Sequence, residues 1–421
     1  MLLRHHTLGC KVNQYETQYV REGLASIGYE DAGPDDEADL CVVNTCTVTA
    51  EGDAKSRQVI RRMARENPAA KIVVMGCYAT RAPDEVAKLP GVTEVLTDKR
   101  ELPDLLGRFG VTDVPTGLSG FGARHRAYVK VQDGCLLRCS FCIIPKVRPQ
   151  LASRPQQEIV DEVRRLVDNG YREVVLTGIH LGHYGVELNR GKSKDEWTRL
   201  AGLARALATQ PAQRDFRIRL SSIEATEVTR ELIDAMADHP DRIAPHLHIS
   251  MQSGSDGVLR RMRRRWGARR FVDRCSLLKQ RLDRPAITTD VIVGFPGETE
   301  AEFQETIDVC REVGFSKIHV FPFSARRGTP AADMPGQLSK KEKQARVAEL
   351  TRVEHELRDR YFESLLDSRL RVLVETPVDE GRYVGTSCRY APVELPAGED
   401  RVGEFVEVVA GHVANGRITP A

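Results

Sequence analysis

The stretch Ala127–Pro145, AYVKVQDGCLLRCSFCIIP, decides the fold. Its first six residues alternate apolar and polar, the period of a half-buried strand. Gly134 then turns the chain, and Cys135, Cys139 and Cys142 follow as C-x3-C-x2-C. Downstream come five more strand-like runs: EVVLTG (173–178), FRIRLS (216–221), HLHISM (246–251), TTDVIV (288–293) and KIHVFPF (317–323), with helical patterns between them. Six βα units predict an open or partial (β/α)6 barrel, a fold that places its chemistry at the carboxyl ends of its strands. The three cysteines follow the first of those ends.

Iron–sulfur clusters take thiolate ligands, normally four for a [4Fe–4S] cube. The local group supplies three, which leaves one iron open to bind the amino and carboxylate groups of a methionine moiety. A structural zinc site would want a fourth ligand, and no Cys or His follows Cys142 before His180.

Upstream, the first ~110 residues alternate strand and helix, the pattern of an open parallel sheet. Apolar runs at Leu2–Leu8, Leu40–Val43 and Lys71–Met75 predict strands. Asn13–Ile27 predicts a helix that Gly28 ends, and a looser helix spans about 50–66. Cys10, Cys46 and Cys77 each follow one of the three strands. Carboxyl ends of neighbouring strands converge on one crevice, so these cysteines can meet there; the alternative is three separate buried thiols. Cys41, Cys275 and Cys310 read as core, and Cys388 lies in the tail without a visible partner.

Residues 110–122 are rich in Gly and Pro and read as a linker. Ser339 opens a long charged helix to about Leu366, with Glu342 placed to complete a capping box. The tail runs RVLVE, GRYVG, PVEL and GEFVEVVAG are short and β-rich, predicting a small β-barrel. The fold class is therefore α/β in three parts: an open parallel-sheet domain (1–113), a partial barrel (121–355) and a small β-barrel (364–421).

At 41% hydrophobic and 29% charged residues, the composition is that of a globular protein and excludes disordered and fibrous classes. No apolar run approaches the ~18–20 residues of a membrane span, and the start lacks a secretory h-region, so a cytoplasmic chain is expected. There the ten cysteines are not a disulfide framework. The net charge of +2 is small, but arginines crowd 260–270 and basic residues crowd 55–65. Met262 and Trp266, four apart, predict one helix there with an apolar stripe and arginines elsewhere. Such runs are usually solvated faces, and they also suit phosphate contacts.

C-x3-C-x2-C after a first barrel strand resembles the radical-SAM superfamily, with Phe141 at that superfamily's common aromatic position near the adenine. TLGCKVNQYET, VVNTCTVT and MGCYA add a resemblance to the amino-terminal domain of the methylthiotransferases, and LTGIHLGHYG, HISMQSGSDGVLRRMRRRW, DVIVGFPGETE and FPFSARRGTPAA extend it over nearly the whole chain. GCKVNQYE and LTGIHLG are most similar to the MtaB branch; the tail is similar to a TRAM domain, an RNA-binding barrel. The resemblance implies two [4Fe–4S] clusters and S-adenosylmethionine (SAM). Cys135, Cys139 and Cys142 would hold the cluster that cleaves SAM to a 5′-deoxyadenosyl radical, and Cys10, Cys46 and Cys77 the one that carries the transferred sulfur. The implied reaction adds a methylthio group to C2 of N6-threonylcarbamoyladenosine beside the tRNA anticodon, with tRNA and a reductant protein as partners and a monomeric enzyme. It places SAM contacts near Phe141, Thr177 and Gly178; Ser222, Gln252, Ser253 and Gly294 are candidates because they stand at strand ends on the catalytic face. No residue beyond the cluster ligands is assigned as catalytic, since an aromatic C–H offers no easy acid–base route.

Local readings stand beside these. Gly178 can be a plain turn, Ser222 and Glu224 can cap a helix, and GFPGE can be a tight turn. Arg148-Pro149 replaces the family's frequent Arg-Gly, which alters the loop after the cysteines. Two other readings use the same motifs: a methylthiotransferase acting on isopentenyl-adenosine or a ribosomal protein, and an RNA-binding metalloprotein with structural clusters.

Overall fold

In the computed structural model, residues 1–122, 124–378, 381–396 and 401–421 are described. Strands β1 (Leu2–Thr7), β2 (Glu30–Asp31), β3 (Leu40–Thr45), β4 (Lys71–Gly76) and β5 (Val92–Val95) form one sheet in the order β2-β1-β3-β4-β5. Every pairing in it is parallel. β3 is buried on both faces, which explains its unbroken apolar reading. The strand order reverses between β1 and β3, and that switch point is where an open α/β sheet offers a crevice. The first helix, Lys11–Ala25, begins two residues before the expected start and ends short of Gly28.

The central domain contains β6 (Arg126–Asp133), β7 (Ala152–Ser153), β8 (Glu173–Gly178), β9 (Arg217–Leu220), β10 (Ser222–Ile223), β11 (His246–Ile249), β12 (Ala286–Val293) and β13 (Lys317–Pro322). They make two four-stranded sheets, β7-β6-β8-β9 and β10-β11-β12-β13, joined by a bridge from Ile218 to Ile243. Seven parallel strands, of which β9 and β10 are successive segments of one βα unit, thus form an arc, while β7 is an antiparallel edge addition. The expected strand FRIRLS is β9, and past Ser221 the chain continues as β10, which pairs with β11 instead of β8. Outward residues such as Val129, Leu176, Ile218, Leu247 and Val291 join helical side chains in the largest core. Inward positions are polar: Lys130, Glu173, Arg217, Arg219, His246, Thr288 and Asp290.

The helix Lys340–Glu363 carries the Ser339/Glu342 capping box and leads to a closed barrel. Its strands are β14 (Arg369–Pro377), β15 (Tyr383–Ser387), β16 (Pro392–Leu395), β17 (Phe405–Ala414) and β18 (Arg417–Pro420), in the order β14-β15-β16-β18-β17. Among the described residues no helix is long and apolar enough to cross a membrane.

Candidate active site between two cysteine sets

The turn out of β6 can be made only by glycine. Gly134 has φ +81°, and a Cβ there would lie 1.7 Å from the Gln150 carbonyl oxygen. The cysteine loop is then fixed by its backbone: Cys135 N–H donates to Arg148 O at 3.0 Å, and Ser140 N–H to Met262 O at 3.0 Å. Cys135, Cys139 and Cys142 line one cavity of about 160 Å³. Burial pushes the Cys139 thiol up and the Cys142 thiol to about 12. A cysteine binds metal as its thiolate, so loading a metal centre at these residues would release their protons. Two cationic or imidazole groups meet the sulfurs. Arg264 Nη1 lies 3.4 Å from Cys139 Sγ and also pairs with Glu224. His180 Nδ1 lies 3.9 Å from Cys135 Sγ, while its Nε2 is 3.3 Å from Glu227. The sequence reading singled out neither side chain for this role; strands far apart in sequence bring them in.

The second set is built by the same device. Gly9 (φ +99°) precedes Cys10, and Gly76 (φ +97°) precedes Cys77. Cys10 caps Lys11–Ala25, and Cys77 opens the short helix Cys77–Arg81. A Cβ on Gly9 would lie 3.2 Å from Cys46 Sγ, so the ends of β1 and β3 meet at the switch point. Cys77 is close enough to raise the thiols of both Cys10 and Cys46, although burial is the larger cause. The three cysteines therefore face one crevice. Cys41, Cys275 and Cys310 are fully buried core residues.

Among the described residues two histidine–carboxylate groups, His180/His183/Glu227 and His248/Asp290/His319, close to within 4.8 Å, and neither cysteine set does. A single tetrahedral zinc with Zn–S near 2.3 Å would hold its sulfurs about 3.8 Å apart. The wider cysteine spacing suits a polynuclear centre better than one zinc ion.

Of the expected SAM contacts, Phe141, Ser222 and Gln252 line the cavity with the first cysteine set. Gln252 has φ +67°, an unusual backbone for a non-glycine residue. Thr177 is buried at the end of β8, and Gly178 packs against Gln132, with its would-be Cβ 3.0 Å from Oε1. Ser253 is turned away: its Oγ is 3.1 Å from Thr306 Oγ1 and accepts the Ser255 N–H. Gly294 (φ +71°) donates its N–H to Glu298, so GFPGE is a tight turn. Glu224 both takes part in the capping box with Glu227 and reaches the cavity.

A family model described as "Radical SAM superfamily" matches residues 129–310, and one described as "Uncharacterized protein family UPF0004" matches 3–97. The threonylcarbamoyladenosine tRNA methylthiotransferase MtaB of Bacillus subtilis is 41% identical, over 96% of this chain and 92% of its own. The chain belongs to the MtaB family. The Thermotoga maritima MtaB is 37% identical over 96% and 93% of the two chains. The tRNA-2-methylthio-N(6)-dimethylallyladenosine synthase of Corynebacterium glutamicum is 33% identical over 96% and 82%. Among solved structures, the radical SAM methyltransferase TsrM of Kitasatospora setae has a TM-score of 0.57 at 15% identity, over 79% and 75% of the two chains. That likeness establishes a shared fold.

In this MtaB-family chain the two cysteine-bearing domains are locked by buried ions. Arg148, the residue before the unusual Pro149, donates to Glu16 at 2.7 and 2.8 Å, to Asp133 at 2.8 Å and to Asn13 at 3.1 Å. Lys130 bridges the same two carboxylates. Burial would raise the Glu16 carboxyl, but Arg148 and Lys130 outweigh it and hold it at about 2. Arg326, beyond β13, pairs with Asp53 at 2.7 Å and donates to Thr47 at 2.6 Å, next to Cys46. At the other end of the barrel Glu173 binds Arg217 and Arg219. These arginines also donate to carbonyls of Arg371, Thr386 and Ser387, so the small β-barrel floors the larger one.

The arginine run does not form one helix. The helix Asp256–Arg261 stops at Met262, Arg263 takes φ +59°, and a new helix starts at Ala268. Met262 and Trp266 are buried as expected, but through this break. Arg261 pairs with Glu302, Arg264 faces the cysteine cavity, and Arg260, Arg263, Arg265 and Arg270 are exposed.

Proposed function

We propose that this chain is a radical-SAM methylthiotransferase that adds a methylthio group to C2 of N6-threonylcarbamoyladenosine in tRNA. The carrying observation is that the near-full-length match to MtaB relatives includes a chain whose six strand-end cysteines gather into two sets. Cys135, Cys139 and Cys142 hold one [4Fe–4S] cluster, and Cys10, Cys46 and Cys77 hold the other. Three ligands per set leave each cluster open, which a closed structural site would not need. When bound, the clusters and SAM supply the one-electron and sulfur chemistry that an unactivated aromatic C–H requires.

The protein's own tasks are positional. Phe141, Ser222 and Gln252 stand where SAM would contact the cavity wall, with Thr177, Gly178 and Gly294 shaping strand ends around it; Ser253 supports the loop from behind. Arg264 donates toward the sulfur of Cys139, and His180 Nδ1 lies against that of Cys135. The parts 1–113, 121–355 and 364–421 act as sulfur-bearing domain, radical barrel and RNA-binding barrel, with exposed arginines of 260–270 meeting phosphates. The enzyme is a cytoplasmic monomer supplied with electrons by a reductant protein.

Nucleoside mass spectrometry of tRNA from a deletion strain tests the substrate. Loss of 2-methylthio-N6-threonylcarbamoyladenosine is expected; its persistence with no second enzyme present overturns the assignment. Reconstituted protein with dithionite and SAM should release 5′-deoxyadenosine, and its absence would sink the radical reading.

A further inference from the structure

Lys99 is a buried cation with no anion of its own. It is 8% exposed. Its Nζ donates to Gly76 O at 2.8 Å, to Thr80 Oγ1 and to Thr97 O at 3.5 Å, all neutral oxygens. Among the described residues no carboxylate lies within ion-pair distance of it. Nearby charges cancel without it: Arg148 and Lys130 balance Glu16 and Asp133. A lone buried ammonium is costly, and its usual answer is to lose its proton or find an anion. Burial and Arg148 lower the Lys99 pKa to about 8, while Cys77 pulls the other way. Gly76, whose carbonyl Lys99 grips, is the residue before Cys77. A thiolate at Cys77, one residue from that carbonyl, would supply the anion.

Resting on the reading of Cys10, Cys46 and Cys77 as cluster ligands, we propose that Lys99 is the counter-cation of that centre, fixing a positive charge beside Cys77 that favours the centre's reduced form. Three thiolates bring three negative charges to a partly buried crevice, and the Arg148 quartet contributes no net charge against them. Cluster potentials follow local charge and hydrogen bonding. Lys99 is a positioning residue: it touches no substrate, and it also anchors the turn that presents Cys77.

The test uses the full chain with Cys135, Cys139 and Cys142 replaced by serine, so that one cluster is observed. Anaerobic redox titration followed by electron paramagnetic resonance compares Lys99 with K99M, K99Q and K99R. Both neutral variants should shift the midpoint to more negative potential, with K99R close to the parent. A neutral variant that binds its cluster at an unshifted potential overturns the proposal. Cluster loss in the neutral variants that K99R restores supports it; loss in all three overturns it, since shape rather than charge is then what the site needs. If the parent itself binds no cluster, the reading of the three cysteines fails instead.

Discussion

The Cys135 N–H donates to the Arg148 carbonyl at 3.0 Å, while the Arg148 guanidinium reaches into the first domain and grips Glu16. One residue therefore fixes the first cysteine loop by its backbone and the second cysteine domain by its side chain. The extended sheet domain and the barrel are registered against each other at the point where both cysteine sets face.

Replacing Arg148 leaves two carboxylates to share Lys130. R148M leaves buried Glu16 and half-buried Asp133 with Lys130 as their one cation and should cost about 3–5 kcal/mol. R148K keeps the charge but not the bidentate geometry, and should lie between. Urea unfolding of the metal-free chains measures both. Equal stability of R148M and the parent would remove Arg148 as the domain lock.

The same network sets an acid limit. Glu16 is held at about 2 against its ordinary 4.5; a depressed carboxylate contributes stability that is complete above its unfolded value and lost as pH falls through the folded one. Melting temperature should therefore drop as pH is lowered from about 4.5 toward about 2, with Asp133, also depressed, adding to the fall. E16Q, measured across the same window, should flatten part of that dependence.

What the sequence made legible was local. Cys135, Cys139 and Cys142 are readable as a set because they and their turn glycine fall within nine residues. Cys10, Cys46 and Cys77 are readable because each ends a strand and parallel strand ends converge. The order β2-β1-β3-β4-β5 is not readable, since β2 is two residues long and β5 is only half-buried. Arg264 and His180 escaped because their role arises only when β8 and the segment after β11 bring them beside the cysteine loop. Ser253 misled for the converse reason: its position at a strand end suggested the cavity, but Thr306 takes its hydroxyl. The helix predicted across Met262 and Trp266 failed on one backbone angle, Arg263 φ, which periodicity does not report.

Glu173 is fully buried beneath Arg217 and Arg219, whose other donors hold carbonyls of the small β-barrel. E173Q leaves two buried guanidiniums without a counter-charge. Loosening of the β-barrel is expected, by about 3–5 kcal/mol of lost interface stability, and limited proteolysis near residues 364–368 should speed up. A cleavage rate equal to the parent's would show that the interface does not depend on this ion cluster.

The turn glycines separate the two cysteine sets experimentally. At Gly134 a methyl group would strike the Gln150 carbonyl; at Gly76 it would lie 2.4 Å from Thr45 backbone atoms, and both residues have positive φ. Each substitution by alanine is strained twice, by conformation and by contact, but each displaces a different cysteine. Two cubes correspond to about eight irons per chain, so either variant should retain about four. The consequences then diverge. G134A moves Cys135 and should abolish 5′-deoxyadenosine formation, whereas G76A moves Cys77 and should leave SAM cleavage while stopping methylthio transfer. Iron content, 5′-deoxyadenosine and methylthio-nucleoside measured on the same preparations read all three. If G76A also silences SAM cleavage while keeping four irons, the two sets are not independent in the way their separate strand-end turns imply.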